Sequence, residues 1–360
     1  MKKCIKCGES NRNDALFCTN CGHRLEDSVI VKEPAQESSF IQYIYKFIGS
    51  DSNDQVDWHV LFSDIFKEHT NEEAEKIFTC GTSFTTPDPS TLSSDFPKPW
   101  LYARIFLGMF ITFVLLWICC SAFGNVNALP GMIVVGSFIV PLTTMMLFFE
   151  INVWRNISFF NVLKTFMLGG CASLLATLTL FNIIPVGELD YVGAFLVGLI
   201  EEIGKALIVY FYVKRTAKPT ILTGLLYGAC VGAGFAAFES AGYAFNVLLS
   251  SGFEGMIHNI FLRGFLAPGG HVAWAAISGA AIVMASKKMK SLSVSEIATN
   301  PIFIRLFSIP VFMHALWDCP ISRFILPNIY GLHIGLVIFV WIVLLVMINL
   351  GLNEISINKS

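Results

Sequence analysis

Charge is scarce in this chain. Lys, Arg, Asp and Glu make up 14% of its 360 residues and apolar types 54%, which excludes an ordinary soluble domain, where about a quarter of residues are charged. The composition is that of an all-α polytopic membrane protein. A basic stripe is missing as well: the formal net charge is -2, so no nucleic-acid partner is expected. Met1-Lys-Lys runs directly into Cys4-Ile-Lys-Cys7 and a polar stretch, without the apolar h-region of a secretory signal, and the first hydrophobic span is expected to direct insertion itself. Neither HExxH nor GxSxG occurs, which leaves two common hydrolase chemistries unsupported. No internal repeat stands out.

What is present begins with cysteine. Cys4-x2-Cys7-Gly8 and Cys18-x2-Cys21-Gly22 are two knuckles whose four thiolates suit one structural zinc ion, with no coordination position left for water. Each following glycine permits the positive φ that such a turn uses. The expected zinc ribbon covers residues 1–24, and a reducing compartment argues against disulfides. Cys80, Cys119, Cys120, Cys171, Cys230 and Cys319 have no metal spacing and read as packing residues. Residues 25–100 form a linker and a small soluble juxtamembrane segment. Within it Trp58, Leu61, Ile65 and Phe66 recur at helical spacing and predict an amphipathic helix, packing on its own small core, on the membrane surface or on a partner. Trp100 and Tyr102 follow a proline-rich approach and suit the bilayer interface.

From 101 to 351 the chain reads as a transmembrane domain of about eight helices, roughly 104–124, 131–149, 163–185, 190–213, 220–249, 269–286, 302–319 and 329–350. A short cytoplasmic tail, 352–360, closes it. Lys214, Arg215 and Lys218 share one connection, Lys287, Lys288 and Lys290 another, and Arg155 and Lys164 lie in or beside a third, whereas the alternate connections hold only Arg263 and Arg323. That asymmetry places both termini in the cytoplasm.

Three charges nevertheless sit in the fourth span, in Gly198-Leu-Ile-Glu201-Glu202-Ile-Gly-Lys205. A charge at mid-bilayer costs about 2.5–3.5 kcal/mol on the insertion scale, so function is the default reason for it. Lys205 can neutralise one acid at i,i+3 or i,i+4 and leaves the other over; a cluster that only locks helix packing is the plainer alternative. Glu201 lies about 16 Å below the outer end of its span, near the bilayer centre. Glu239 has a similar depth in span five, on a face shared with Gly224, Gly228, Gly232 and Phe235, small residues that let a neighbouring helix approach. His271 opens span six after Pro268-Gly-Gly270, and His314 and Asp318 are an i,i+4 pair in span seven. All can meet in the outer half of the membrane. Trp317 is expected to be an interface anchor. Such a set can activate water, protonate a leaving amine and stabilise an oxyanion, with or without a metal. The same groups also suit a proton- or ion-coupled transporter or sensor.

Glu201-Glu202-Ile-Gly-Lys205, Phe235-Ala-Ala-Phe238-Glu239, Gly270-His271 and His314-Ala-Leu-Trp-Asp318 resemble, in order and spacing, the motifs of the PrsW intramembrane proteases, distant relatives of the CAAX-processing and bacteriocin-processing endopeptidases. The resemblance covers about 190–320. It implies cleavage of a membrane-anchored protein near its extracytoplasmic side, as for an anti-sigma factor, by water that one of Glu201 and Glu202 activates with help from Glu239. His271, His314 and Asp318 would orient substrate and stabilise the oxyanion, with Lys205 and Phe235 in support. The relatives have histidine where this chain has Glu239, and a catalytic metal is left open. The ribbon and the soluble segment lie outside the resemblance and suit regulation or a protein partner.

Overall fold

The computed structural model describes residues 2–4, 6–11, 17–23, 39–50, 58–92, 96–287, 293–320 and 331–357. The linker from Leu25 to Ser38, Ser93–Asp95 of the proline-rich approach, and Lys288, Lys290 and Arg323 of the charge argument lie outside them. Two compact units divide the chain, Met1–Gln55 and Val56–Ser360.

In the first unit β1 (Lys2–Lys3) pairs antiparallel with β2 (Ser10–Asn11). The two knuckles fold alike. Gly8 N–H donates to Cys4 O at 2.8 Å and Gly22 N–H to Cys18 O at 2.9 Å, and both glycines take positive φ, 78° and 67°. The sulfurs of Cys4 and Cys21 are 3.6 Å apart and those of Cys7 and Cys18 3.5 Å, close to the edge of about 3.8 Å that Zn–S bonds of about 2.3 Å impose on a tetrahedron. Asn11 Nδ2 donates to Cys18 Sγ at 3.5 Å while its Oδ1 accepts from Thr19 N–H at 2.8 Å, an outer layer that orients a ligand. The unit holds a structural zinc. Helix α1 (Ser39–Ile48) follows and ends at Gly49, with φ 94°.

The second unit begins with α2 (Trp58–Leu61) and α3 (Asn71–Phe78). The helix expected through Phe66 stops at Leu61 instead. Ser63 Oγ donates to Val60 O and His69 Nε2 meets Asp64 O, so local side chains take carbonyls that a helix would use; Lys67, 2.7 Å from Asp64, also holds that carboxyl below its usual range. Leu61 is buried and Phe66 exposed. Thr70 and Glu73 form a capping box that starts α3. The segment packs locally, on the connection between the second and third apolar stretches. Phe78 meets Phe159 edge-on at 4.6 Å, Trp154 Nε1 donates to Pro87 O, and Arg155 Nη1 to Lys76 O.

The long helices follow: α4 (Leu101–Ser121), α5 (Leu129–Ile151), α6 (Phe159–Lys164) continued through a π turn into α7 (Gly170–Ile183), α8 (Tyr191–Lys214), α9 (Ile221–Leu266), α10 (His271–Ser286), the short α11 (Val294–Ala298), α12 (Pro301–Asp318) and α13 (Gly331–Ile357). All eight expected spans fall on helices. Among the described residues, however, five stretches are long and apolar enough to cross a bilayer: Leu101–Ser121, Val126–Ile151, Phe159–Ile183, Ile221–Ser286 and Gly331–Ile355. Helices α8 and α12 interrupt their apolarity with Glu201, Glu202 and Lys205 and with Arg305, His314 and Asp318. The chain is membrane-embedded, and exposed Phe106, Phe110, Leu115 and Trp117 on α4 suit lipid.

Two carboxylates tie helix ends together. Glu150, at the end of α5, accepts from the main-chain N–H groups of Trp100, Leu101 and Tyr102 at 2.9, 2.9 and 2.8 Å, the donors that the start of α4 leaves without helical partners. Glu354 accepts from Ile221 N–H at 2.9 Å and pairs with Lys287 at 3.0 Å. Helix α13 thus runs on to Ile357 where a short tail from 352 was expected, because Glu354 caps the start of α9.

Glu150→Ala should lower unfolding stability by about 1–3 kcal/mol, since it strands buried donors; thermal unfolding in detergent measures this. Cys4→Ser should remove the bound zinc, read by elemental analysis, while the melting of the membrane helices stays unchanged.

Candidate active site

Helix α9 carries the glycines that set the site. A Cβ at Gly228 or Gly232 would overlap the main-chain carbonyls of Ala275 and His271, so α9 and α10 lie backbone to backbone. That approach brings His271 against Glu239, Nε2 to Oε2 at 3.0 Å. Gly198 does the same for α8 and α12: a Cβ there would stand 2.9 Å from Ala315 N and 3.3 Å from His314 Cβ. His314 Nδ1 consequently reaches Glu202 Oε1 at 3.0 Å.

At the centre lies Lys205, with no exposed side-chain surface. Its Nζ is 2.6 Å from Glu202 Oε1, 3.8 Å from Glu201 Oε2 and 2.8 Å from His271 Nδ1. The Phe235 ring lies under the ammonium, 4.5 Å away, a cation–π contact that the absence of water strengthens. Trp274 stacks on His314 at 4.6 Å and stands edge-on to Trp317 at 5.4 Å. Trp317 lines the cavity as well.

The hydrogen-bond partners fix the imidazoles. Lys205 can only donate, so His271 Nδ1 accepts and Nε2–H donates to Glu239. At His314, Nδ1–H donates to Glu202, and Nε2 faces Glu201 Oε2 at 3.7 Å and Asp318 Oδ2 at 3.4 Å. His271 Nδ1 faces the same Glu201 oxygen at 4.0 Å. Glu201 Oε2 is buried and has no hydrogen-bond partner.

These atoms fit a divalent metal ion. One ligand atom each from Glu201, His271 and His314 lie within 4.8 Å of one another, and the donor set, two imidazoles and a carboxylate, is that of catalytic zinc sites. Both histidines have their far nitrogen on a carboxylate, the arrangement that orients metal ligands. Ligation by His271 Nδ1 requires Lys205 to give up that nitrogen and keep Glu202.

The cavity over this centre has a volume of about 520 Å³ and is lined by Glu201, Glu239, His271, Trp274, His314 and Asp318 together with Asn259, Arg263, Ser240, Tyr243, His333 and apolar side chains. Glu202 and Lys205 stand behind the wall. Sequence reasoning missed Asn259 and placed Arg263 in a loop; the structure puts both on α9. Gly252, with φ 76°, breaks this helix, and a return limb from Phe253 to Leu266 folds back alongside the first. Phe253, Met256, Ile257 and Ile260 repeat at i, i+3, i+4 and i+7 and pack with Phe113, Met132 and Ile133, a periodicity that could have marked a helix there. Arg263 consequently reaches Glu239, Nη2 to Oε2 at 2.5 Å.

The sequence profile described as PrsW family intramembrane metalloprotease matches residues 158–347, and a zinc-ribbon domain profile matches 3–25. No curated protein and no solved structure gives a match. Helices α4 and α5 precede the matched region.

If Glu202 orients His314 toward an ion, Glu202→Gln should weaken divalent-metal binding about 10- to 100-fold, measured by titration calorimetry of protein already carrying zinc in its ribbon.

Proposed function

Because the chain belongs to the PrsW family of intramembrane metalloproteases, we propose that it hydrolyses a peptide bond of a membrane-anchored protein in the cavity where Glu201, His271 and His314 converge. The observation that carries this reading is the clustering at the cavity of one ligand atom each from Glu201, His271 and His314, all within 4.8 Å of one another. Glu201, His271 and His314 would hold the ion, and when bound it supplies a Lewis acid that polarises the scissile carbonyl and acidifies water.

The remaining residues divide the work. Glu202 and Glu239 keep the two imidazoles in the tautomers that present a lone pair inward. Lys205 neutralises Glu202 and, pinned over Phe235, stays out of the cavity. Asp318 lines the cavity 3.4 Å from His314 Nε2 and accepts no hydrogen bond among the described residues, so it is the carboxylate free to take the proton of the attacking water and return it to the leaving amine. Glu239 is already engaged by Arg263 and His271.

The cavity lies at the end of the bundle where α8 and α10 begin and α12 ends, whereas Lys214, Arg215, Lys218 and Lys287 lie at the opposite ends of these helices. Basic residues mark the cytoplasmic side. Cleavage then falls toward the extracytoplasmic side, with both termini in the cytoplasm, and a single-span regulator of the anti-sigma-factor kind is a fitting substrate. The zinc ribbon would meet a cytoplasmic protein partner.

The test is cleavage in reconstituted vesicles of a library of single-span proteins, read by mass spectrometry. New termini on the outer side of the substrate span are expected from the parent protein. Glu201→Gln should lose both activity and cavity metal, and Asp318→Asn should lower turnover about 100-fold or more with metal retained. Proton or ion flux that disappears in Glu201→Gln, without cleavage by the parent, would overturn the proposal in favour of transport.

A further inference from the structure

Arg263 stands outside the cluster of Glu201, His271 and His314 but reaches it through one atom. Glu239 Oε2 accepts from Arg263 Nη2 at 2.5 Å and from His271 Nε2 at 3.0 Å, so a single carboxylate oxygen joins the guanidinium to an imidazole whose other nitrogen faces the site. The guanidinium itself is fixed by the first limb of α9. Its Nε donates to Ser240 Oγ at 2.9 Å while Nη2 holds the adjacent Glu239, and its plane lies over the Tyr243 ring, 4.5 Å away. A rigid fork set on two neighbouring residues fixes direction as well as distance. Glu239 borders the cavity, and its Oε1 accepts no hydrogen bond among the described residues.

The bend in α9 delivers this guanidinium. About 20 Å of helix leads from Glu239 out to the break at Gly252 and about 17 Å leads back to Arg263, so the side chain has only a few ångströms of level to make up. The other face of the return limb is anchored independently, Met256 and Ile260 being buried with Phe113, Met132 and Ile139. The limb therefore keeps its place without Arg263, and what Arg263 adds is local.

We propose that Arg263 is a positioning residue for the cavity metal: by fastening Glu239 it holds the His271 ring with Nδ1 toward the ion. The main chain of His271 is already fixed, since a Cβ at Gly232 would overlap its carbonyl. Ring orientation is the freedom left to settle. A carboxylate on the far nitrogen settles it for metal-ligating histidines in general, but a carboxylate that borders a cavity can turn away unless something holds it. The charge-assisted bond from Arg263, about twice as strong as a neutral one, does so. The proposal rests on the metalloprotease reading for its ion, yet metal affinity tests it without turnover.

The experiment titrates cobalt(II), followed by visible absorption, into the full chain in lipid nanodiscs with zinc already in its ribbon; thiolate-to-cobalt charge-transfer bands would reveal exchange at the ribbon. Arg263→Met should weaken cobalt binding about three- to tenfold, less than the 10- to 100-fold (roughly) expected of Glu239→Ala, which removes the ligand's direct partner. Arg263→Lys should bind more tightly than Arg263→Met, because an ammonium reaches Glu239 but cannot also hold Ser240. In a Glu239→Ala background Arg263→Met should cost nothing further, a coupling that a role in packing alone would not produce. If Arg263→Met does not fold, Ser240→Ala takes its place, with a loss of about two- to threefold that vanishes in Glu239→Ala. Parent-like affinity in the variant tested, a lysine no better than methionine, a loss that persists without Glu239, or no cobalt in the parent cavity would overturn the proposal. Cleavage by the parent protein is scored separately: coupling without cleavage would sink the protease reading and leave the role of Arg263 standing.

Discussion

A buried ammonium holds this molecule's centre together. Lys205 has no exposed side-chain surface, yet it touches Glu202 and His271 and lies over Phe235. Taking one charge out of water costs several kcal/mol, and removal of a partner from a buried pair typically costs 3–5 kcal/mol, so each neighbour is bound to the others by the penalty of its loss (about these magnitudes). The consequence is positional. Glu202 cannot turn into the cavity without abandoning both Lys205 and His314, and Glu201 is therefore the member of the pair left to face it.

The glycines translate that charge network into helix geometry. Close approach of α9 to α10 at Gly228 and Gly232, and of α8 to α12 at Gly198, sets the depth of each polar side chain to within a fraction of a helical turn. Adjacent residues on a helix point about 100° apart, so Glu201 and Glu202 serve different surfaces although they are neighbours in sequence. Close packing fixes which acid faces which way.

Much of this was legible in the sequence. Charges within apolar runs identify Glu201, Glu202, Lys205 and Glu239 because the bilayer makes each one expensive, and the paired CxxC-Gly knuckles identify the ribbon because the turn and the metal both constrain the spacing. What escaped detection depends on long-range geometry. Arg263 looked like a loop residue because Gly252 ends one apolar run and nothing local says that the next limb returns beside the first. The capping roles of Glu150 and Glu354 were not legible, since a cap across 49 or 133 residues leaves no periodic trace. The count of membrane-crossing stretches differs because α8 and α12 carry charges and because Ile221–Ser286 is one apolar stretch that holds two of the expected spans.

The cap at Ile221 also has a meaning in time. Its acceptor, Glu354, is 133 residues further along the chain, and chains are made from the amino end. The helix that carries Glu239 is therefore made with Thr220 capping Thr223 N–H well before the acceptor for Ile221 N–H exists. A chain that stops just short of Glu354 would have its acids and histidines and leave Ile221 N–H without that acceptor.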